Sequence, residues 1–124
     1  MLDDRSVVTA LREAGAVFGY LHGSRVAGSP RPDSDLDVAA HFAGRAPSSW
    51  EVPVPAEVDL VVLDRTPLYL AGRIALHGRL LFDDDPPARV RWESETRVQY
   101  LDELPLIEQT MREYLEAVAG RGRR

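Results

Sequence analysis

Two aspartates separated by one residue are the part of this sequence best suited to chemistry. Asp35 and Asp37 lie in a segment where polar and apolar residues alternate, a pattern that predicts a β-strand over 35–42. In a strand, side chains two residues apart point to the same face, with stems roughly 6.5 to 7 Å apart. Two carboxylates at that distance repel each other unless a cation lies between them. Magnesium, which binds one or two carboxylates together with substrate phosphate oxygens, fits this pair.

Residues in two other segments can complete such a site. Asp59 lies near the start of a later apolar strand and supplies a third carboxylate, and Glu57, two residues earlier on the same face, could substitute for it. Gly23 and Ser24 follow a short apolar strand, and a turn there offers free N–H groups and a hydroxyl to a phosphate chain. Together the acids and the turn predict metal-assisted phosphoryl or nucleotidyl transfer.

Other interpretations of these residues fit the spacing less well. The segment 33–37 resembles the start of an EF-hand calcium loop, but Val38 stands where the loop needs glycine and Gly44 where it needs glutamate. The three histidines show no spacing that would predict a zinc site. Taken singly, a Gly-Ser pair is more often an ordinary turn, and an acid pair can be a solvated strand face.

Composition excludes several other classes of chemistry. The 124 residues contain 20 acids and 15 basic residues, all of them arginine, for a net charge of -5. Without lysine there is no Walker A loop and no Schiff-base enzyme, and without cysteine there is no thiolate nucleophile or zinc knuckle. The acidic balance argues against a nucleic-acid surface. Apolar runs fall far short of the ~18 residues of a membrane span, so we expect a cytoplasmic protein without a membrane anchor.

The elements that must position these residues follow from periodicity and capping patterns. Gly15 predicts the end of a first helix, and Thr66-Pro67 predicts the start of a later one. The predicted strands cover 16–22, 35–42, 57–63 and 80–82, and the predicted helices cover 2–14, 67–77, a stretch from 83–85 to about 101, and one that starts or kinks at Pro105 and ends near Val118.

These elements predict an α/β (α+β) fold with a small mixed sheet, the site on one face of the sheet and the helices packed on the other. No linker or internal repeat interrupts the chain. We therefore expect a single domain over residues 1–120, followed by a frayed basic tail over 121–124.

The central motif resembles that of a known family. Gly23-Ser24, ten intervening residues and then Asp35-Leu36-Asp37 are similar to the signature of the minimal nucleotidyltransferases (MNT) of the DNA polymerase β superfamily. Further agreement comes from glycine and serine within the motif, from the strand that carries the third acid, and from two C-terminal blocks similar to the antitoxins that accompany HEPN-domain toxins: Gly28, Ser34, Val58-Asp59-Leu60, 78–82 and 100–102. One departure is Val26-Ala27, where the family often has Ala-Arg.

The resemblance implies a role for each matching residue. Gly23 and Ser24 would hold the phosphates of ATP, and Arg25 or Arg31 would replace the missing basic contact. The acids would hold two magnesium ions, and the last of them would also activate the acceptor hydroxyl: Asp35, Asp37 and Asp59.

The resemblance also implies a function. The protein would be an antitoxin that transfers AMP from ATP to a hydroxyl, that of a tyrosine, on a HEPN-domain ribonuclease toxin, with which it would form a hetero-oligomer. Two alternatives stay open at this point. The chain could neutralise a partner by stoichiometric binding with a vestigial site, or it could transfer the nucleotide to a small molecule.

Overall fold

The computed structural model describes residues 4–23 and 36–121. The chain folds into a four-stranded mixed sheet with three α-helices, which confirms the predicted fold class. In chain order the elements are α1 (Asp4–Glu13), β1 (Phe18–His22), β2 (Leu36–His41), β3 (Val58–Val62), α2 (Leu68–His77), β4 (Arg79–Asp83) and α3 (Pro86–Arg121), with short 3-10 helices at Ser49–Glu51 and Leu63–Arg65.

The sheet has the strand order β3-β2-β1-β4. β1 pairs antiparallel with both β2 and β4, whereas β2 and β3 are parallel. The two parallel strands therefore begin at the same edge of the sheet, where the antiparallel strand β1 ends. That edge is where the chain leaves β1 at His22 and enters β2 at Leu36.

Helices cover both faces of the sheet, in contrast to the predicted packing on one face. Val38 of β2 is buried with Val7 and Leu11 of α1, whereas its neighbour Ala39 is buried with Ile74 of α2. Successive residues of a strand point to opposite faces, so α1 lies on one face and α2 on the other. The physical reason is that the sheet has apolar residues on both faces: Phe18, Tyr20 and Ala39 are buried on the face that α2 covers, so both faces need cover.

The capping patterns place most helix ends within a residue or two. Gly15 adopts a positive φ of 100°, and the N–H of Ala16 donates to the carbonyl of Leu11 at 2.9 Å, which ends α1. The carboxylate of Asp85 accepts the N–H of Ala88 at 3.2 Å and caps α3. The predicted cap Thr66 does not cap α2, because its hydroxyl donates to the carbonyl of Val62 at 2.7 Å.

α3 is a single helix of 36 residues with Pro105 inside it, so the predicted helix end near Leu101 and the predicted helix start at Pro105 are wrong. Pro105 removes the hydrogen bond to the carbonyl of Leu101, but Leu101 is exposed and water can satisfy that carbonyl. Arg121, the first residue of the predicted tail, is the last residue of the helix, and 122–124 lie outside the described residues. Within the described ranges, no helix is both long and apolar enough to cross a membrane.

α2 packs closely on the first half of α3. A Cβ added to Gly72 would lie 2.1 Å from Cγ of Tyr100, so the Tyr100 ring rests directly on the α2 backbone. Next to it, Arg97 donates to the carbonyl of Ala75 at 2.7 Å. These contacts show that the two helices run antiparallel, with the start of α2 lying near residue 104 of α3.

Candidate functional site

Three polar side chains from three neighbouring strands form one row across the sheet. In the antiparallel pair His22 of β1 lies opposite Asp37 of β2, and in the parallel pair Asp37 lies opposite Asp59 of β3. Directly opposed residues of paired strands point to the same face. The structure therefore brings together two of the three predicted acids, and adds a histidine beside them.

The row lies where β1 ends and the two parallel strands begin. Asp37 is the second residue of β2 and Asp59 the second residue of β3, whereas His22 is the last residue of β1. Neighbouring strands lie about 4.8 Å apart, so the two carboxylates can share a cation. Asp37 is half-buried and Asp59 is exposed, which leaves the pair accessible from solvent.

The register places the two candidates for the third acid differently. Glu57 precedes β3, is exposed, and contributes its carbonyl oxygen to a 2.9 Å bond from the N–H of Leu36. It is Asp59 that the strand pairing sets opposite Asp37. Glu57 thus extends the sheet ladder through its backbone, and the carboxylate pair consists of Asp37 and Asp59.

Gly23 connects the turn to the first of these carboxylates. Its φ is +86°, a conformation that residues with a side chain rarely adopt. A Cβ at this position would lie 2.1 Å from Oδ2 of Asp37. The glycine is therefore required both by its backbone and by the carboxylate that occupies the space where a side chain would be.

The spacing of the histidines along the sequence did not predict that His22 lies beside the acids. Burial lowers the pKa of His22, while the charges of Asp37 and Asp59 act in the opposite direction. Its Nε2 is buried and has no hydrogen-bond partner among the described residues. The antiparallel pairing of a strand ending at His22 with one starting near Asp37 was the signal that could have found it.

Several predicted residues cannot be placed. Ser24, Arg25 and Asp35 lie outside the described residues, as do the further motif positions Gly28 and Ser34. In the described ranges 4–23 and 36–121, no group of three or more His, Cys, Asp or Glu side chains could hold a metal ion. Asp37 and Asp59 provide two adjacent sets of carboxylate oxygens, the donor type that magnesium prefers.

Asp83 and Asp84, which precede the α3 cap Asp85, have structural roles. Asp84 accepts two hydrogen bonds from Arg12, each of 2.8 Å, and so ties α1 to the start of α3. Asp83 accepts a 2.6 Å hydrogen bond from Arg89, which also contacts Glu93. These acids fix the ends of elements and contribute nothing to the row.

Comparison with known families identifies this arrangement. The sequence model of the family described as "Polymerase beta, Nucleotidyltransferase" matches residues 9–87, which include the strands carrying His22, Asp37 and Asp59. No curated protein matches the sequence at a significant level.

Several solved structures similar to this chain are toxin–antitoxin complexes. A chain from the crystal structure of a toxin-antitoxin with AMP-PNP is 24% identical, with a TM-score of 0.66 over 89% of this chain and 99% of that chain. One from the toxin-antitoxin MntA-HepT is 21% identical, with a TM-score of 0.59 over 87% of this chain and 96% of that chain.

A further match comes from a structure of the tri-AMPylated Shewanella oneidensis HEPN toxin in complex with MNT antitoxin. The matched chain is 22% identical, with a TM-score of 0.59 over 87% of this chain and 95% of that chain. At these identities the likeness establishes the fold. The resemblance inferred from the motif is confirmed by the family match and by these structures.

Proposed function

Because the chain belongs to the polymerase β nucleotidyltransferase family, we propose that it transfers AMP from ATP to a hydroxyl of a HEPN-domain toxin and acts as its antitoxin. The observation that carries the proposal is the pair Asp37 and Asp59 in one row, with Gly23 packed against the first of them. The similar structures support each part of it, since they include a toxin-antitoxin with AMP-PNP and an AMPylated HEPN toxin in complex with an MNT antitoxin. We expect the reaction in the cytoplasm, where ATP is available.

The proposed reaction is an in-line displacement at the α-phosphorus of ATP. The acceptor hydroxyl oxygen forms a bond to that phosphorus, the bond from the phosphorus to the bridging oxygen breaks, and pyrophosphate leaves with that electron pair. Asp59, the more exposed of the two carboxylates, accepts the hydroxyl proton. Bound magnesium, held by Asp37 and Asp59 with Asp35, would offset the negative charge of the phosphates.

The turn after β1 would hold the triphosphate. Gly23, whose positive φ marks a turn, precedes Ser24, and we assign the phosphate contacts to this pair with Arg25 as the cation. Because the chain contains no lysine, positive contacts of the protein with the phosphates must come from arginine, histidine or backbone N–H groups.

The test is intact mass spectrometry of the toxin. The purified chain is incubated with ATP, magnesium and the HEPN-domain protein of the same organism, and we expect the toxin to gain one or more AMP units. Asp37→Asn should lower the rate by about 100-fold or more, because even the loss of a group behind a metal ligand typically costs 10–100-fold. Glu95→Gln, which removes an exposed acid of α3, is the matched control and should retain the parent rate.

Two results would contradict the proposal. If the toxin is neutralised without any gain in mass, the chain acts by stoichiometric binding. If Asp37→Asn transfers AMP at the parent rate, the carboxylate row is not the reaction site.

A further inference from the structure

α3 continues past the body of the protein and carries an apolar stripe with it. Residues spaced alternately by four and three positions line one side of the helix, and we refer to them as the α3 seam: Tyr100, Leu104, Ile107, Met111, Tyr114 and Val118. Tyr100 at one end is buried against Gly72 of α2. At the other end Met111, Tyr114 and Val118 are 54%, 63% and 46% exposed.

α2 covers only the first part of the seam. The antiparallel contacts place the start of α2, Leu68, near Leu104, and beyond that point the stripe has no cover within the described residues. From 108 to 121 every side chain of α3 is exposed. The segment 108–121 gains little stability from helix propensity alone, because most helical stability in proteins comes from tertiary packing. Contiguous exposed apolar surface marks an interaction site.

The spacing specifies the kind of partner. Apolar residues that alternate at intervals of three and four form the seam of two packed helices, where each side chain inserts between four residues of the facing helix. Leu101 and Leu115 broaden the stripe on one side and are 53% and 59% exposed. The uncovered part of the seam therefore fits a second amphipathic helix, lying where α2 lies along the first part.

The charges that border the seam disfavour a second copy of this chain. A facing helix meets the residues just before Leu104, Met111 and Val118 and those just after Ile107 and Tyr114. Among these border positions the charged residues are Glu103 and Glu108, both acidic. In a parallel pair of identical helices these flanking positions face each other, so Glu103 of one copy would oppose Glu108 of the other. The net charge of -5 adds a general repulsion between copies.

We propose that the uncovered part of the α3 seam binds an amphipathic helix of the acceptor protein, with an apolar stripe bordered by arginine or lysine. The identity of that partner rests on the proposed function, in which the acceptor is a HEPN-domain toxin. Binding there would hold the acceptor on the chain that carries the carboxylate row, which would raise the effective concentration of its hydroxyl.

The experiment compares two substitutions of the same chemistry on the same helix. Met111→Asp places a charge in the seam, whereas Leu106→Asp places one on the opposite side of α3, where Leu106 is 64% exposed. Binding of the HEPN-domain protein of the same organism is measured by calorimetry, and far-UV circular dichroism checks that α3 is retained. We expect Met111→Asp to weaken binding by at least about 10-fold, because a residue central to a seam is a hot spot. Leu106→Asp should stay within about threefold of the parent.

A charge test follows from the acidic borders. Glu103→Gln combined with Glu108→Gln should weaken binding several-fold at low salt, and the difference should shrink as salt screens the pairing. Equal affinity of this variant and the parent at low salt would overturn the basic character assigned to the partner helix.

The outcomes separate the docking proposal from the transfer proposal. If Met111→Asp binds as tightly as the parent, or if Leu106→Asp is equally impaired, the seam is not the docking surface, whatever the transfer assay shows. If the chain alone is a dimer by light scattering and Met111→Asp is a monomer, a second copy occupies the seam and the proposal is overturned. If the parent binds through the seam but the toxin gains no mass, docking stands and AMP transfer fails.

Discussion

At the scale of single residues, the site depends on the absence of a side chain at Gly23. The sequence predicted a turn at Gly23-Ser24 that would offer N–H groups to phosphates, and the positive φ of Gly23 agrees with a turn. The structure adds a second requirement, because Oδ2 of Asp37 fills the position of the missing Cβ. One glycine therefore links the turn assigned to the phosphates with the carboxylate assigned to the metal.

We predict that Gly23→Ala abolishes AMP transfer. The added methyl group must displace the Asp37 carboxylate, and the positive φ adds a backbone penalty of roughly 1–2 kcal/mol. Gly15→Ala is the matched control, since Gly15 has a φ of +100° but no atom within 4 Å of the added Cβ. In urea unfolding Gly23→Ala should lose at least as much stability as Gly15→Ala, and only Gly23→Ala should lose activity. Equal activities of the two would show that the position of the carboxylate is unimportant.

His22 shows why residue-scale prediction from the sequence was incomplete. The acids were recognisable because residues two apart in a strand share a face, which is the relation predicted for Asp35 and Asp37. His22 reaches the row only through the register between two strands, His22 opposite Asp37. Register is set by pairing over the whole sheet, so spacing along the chain could not reveal this neighbour.

At the scale of elements, local patterns predicted the strands well and their packing less well. The core strand β2 (Leu36–His41) lies within the predicted 35–42, because alternation is a direct property of the strand. Helices on both faces were not predicted, since the cover of Ala39 by α2 is a long-range contact. The continuity of α3 through Pro105 was also missed, because proline in a helix is usually a boundary.

The close contact between Gly72 of α2 and Tyr100 of α3 predicts an effect on stability. Gly72→Ala would place a methyl group against Cγ and Cβ of Tyr100, atoms near the backbone of α3 that cannot swing away. We expect a loss of about 1–3 kcal/mol in the free energy of unfolding, typical of overpacking.

Gly120→Ala controls for helix propensity in this experiment. An added Cβ at Gly120 meets nothing within 4 Å, so alanine there should be neutral or slightly stabilising. Urea unfolding of both variants measures the difference. If Gly72→Ala is as stable as the parent, α2 and α3 do not pack in the manner described.

At the scale of the whole molecule, part of the excess negative charge is concentrated at the candidate site. The net charge is -5, and the three acids assigned to the site contribute three of the negative charges. Two magnesium ions would supply four positive charges and offset most of the excess. Without metal, the adjacent Asp37 and Asp59 carboxylates repel each other, so the proposed site destabilises the fold that presents it.

The repulsion between the two carboxylates predicts that magnesium reverses the order of stability of the parent and Asp37→Asn. In a chelating buffer, Asp37→Asn should unfold at the same temperature as the parent or a higher one, because one of two opposed charges is removed. With magnesium and a non-hydrolysable ATP analogue at about 100 times the dissociation constant, the parent should gain roughly 2.7 kcal/mol, and the variant much less. The parent should then have the higher melting temperature in differential scanning calorimetry, with Glu95→Gln following the parent in both buffers.

Two outcomes would contradict this prediction. If Asp37→Asn gains as much stability from magnesium and the analogue as the parent does, Asp37 does not hold the metal. If Asp37→Asn is less stable than the parent in the chelating buffer, the two carboxylates do not repel each other in the absence of metal.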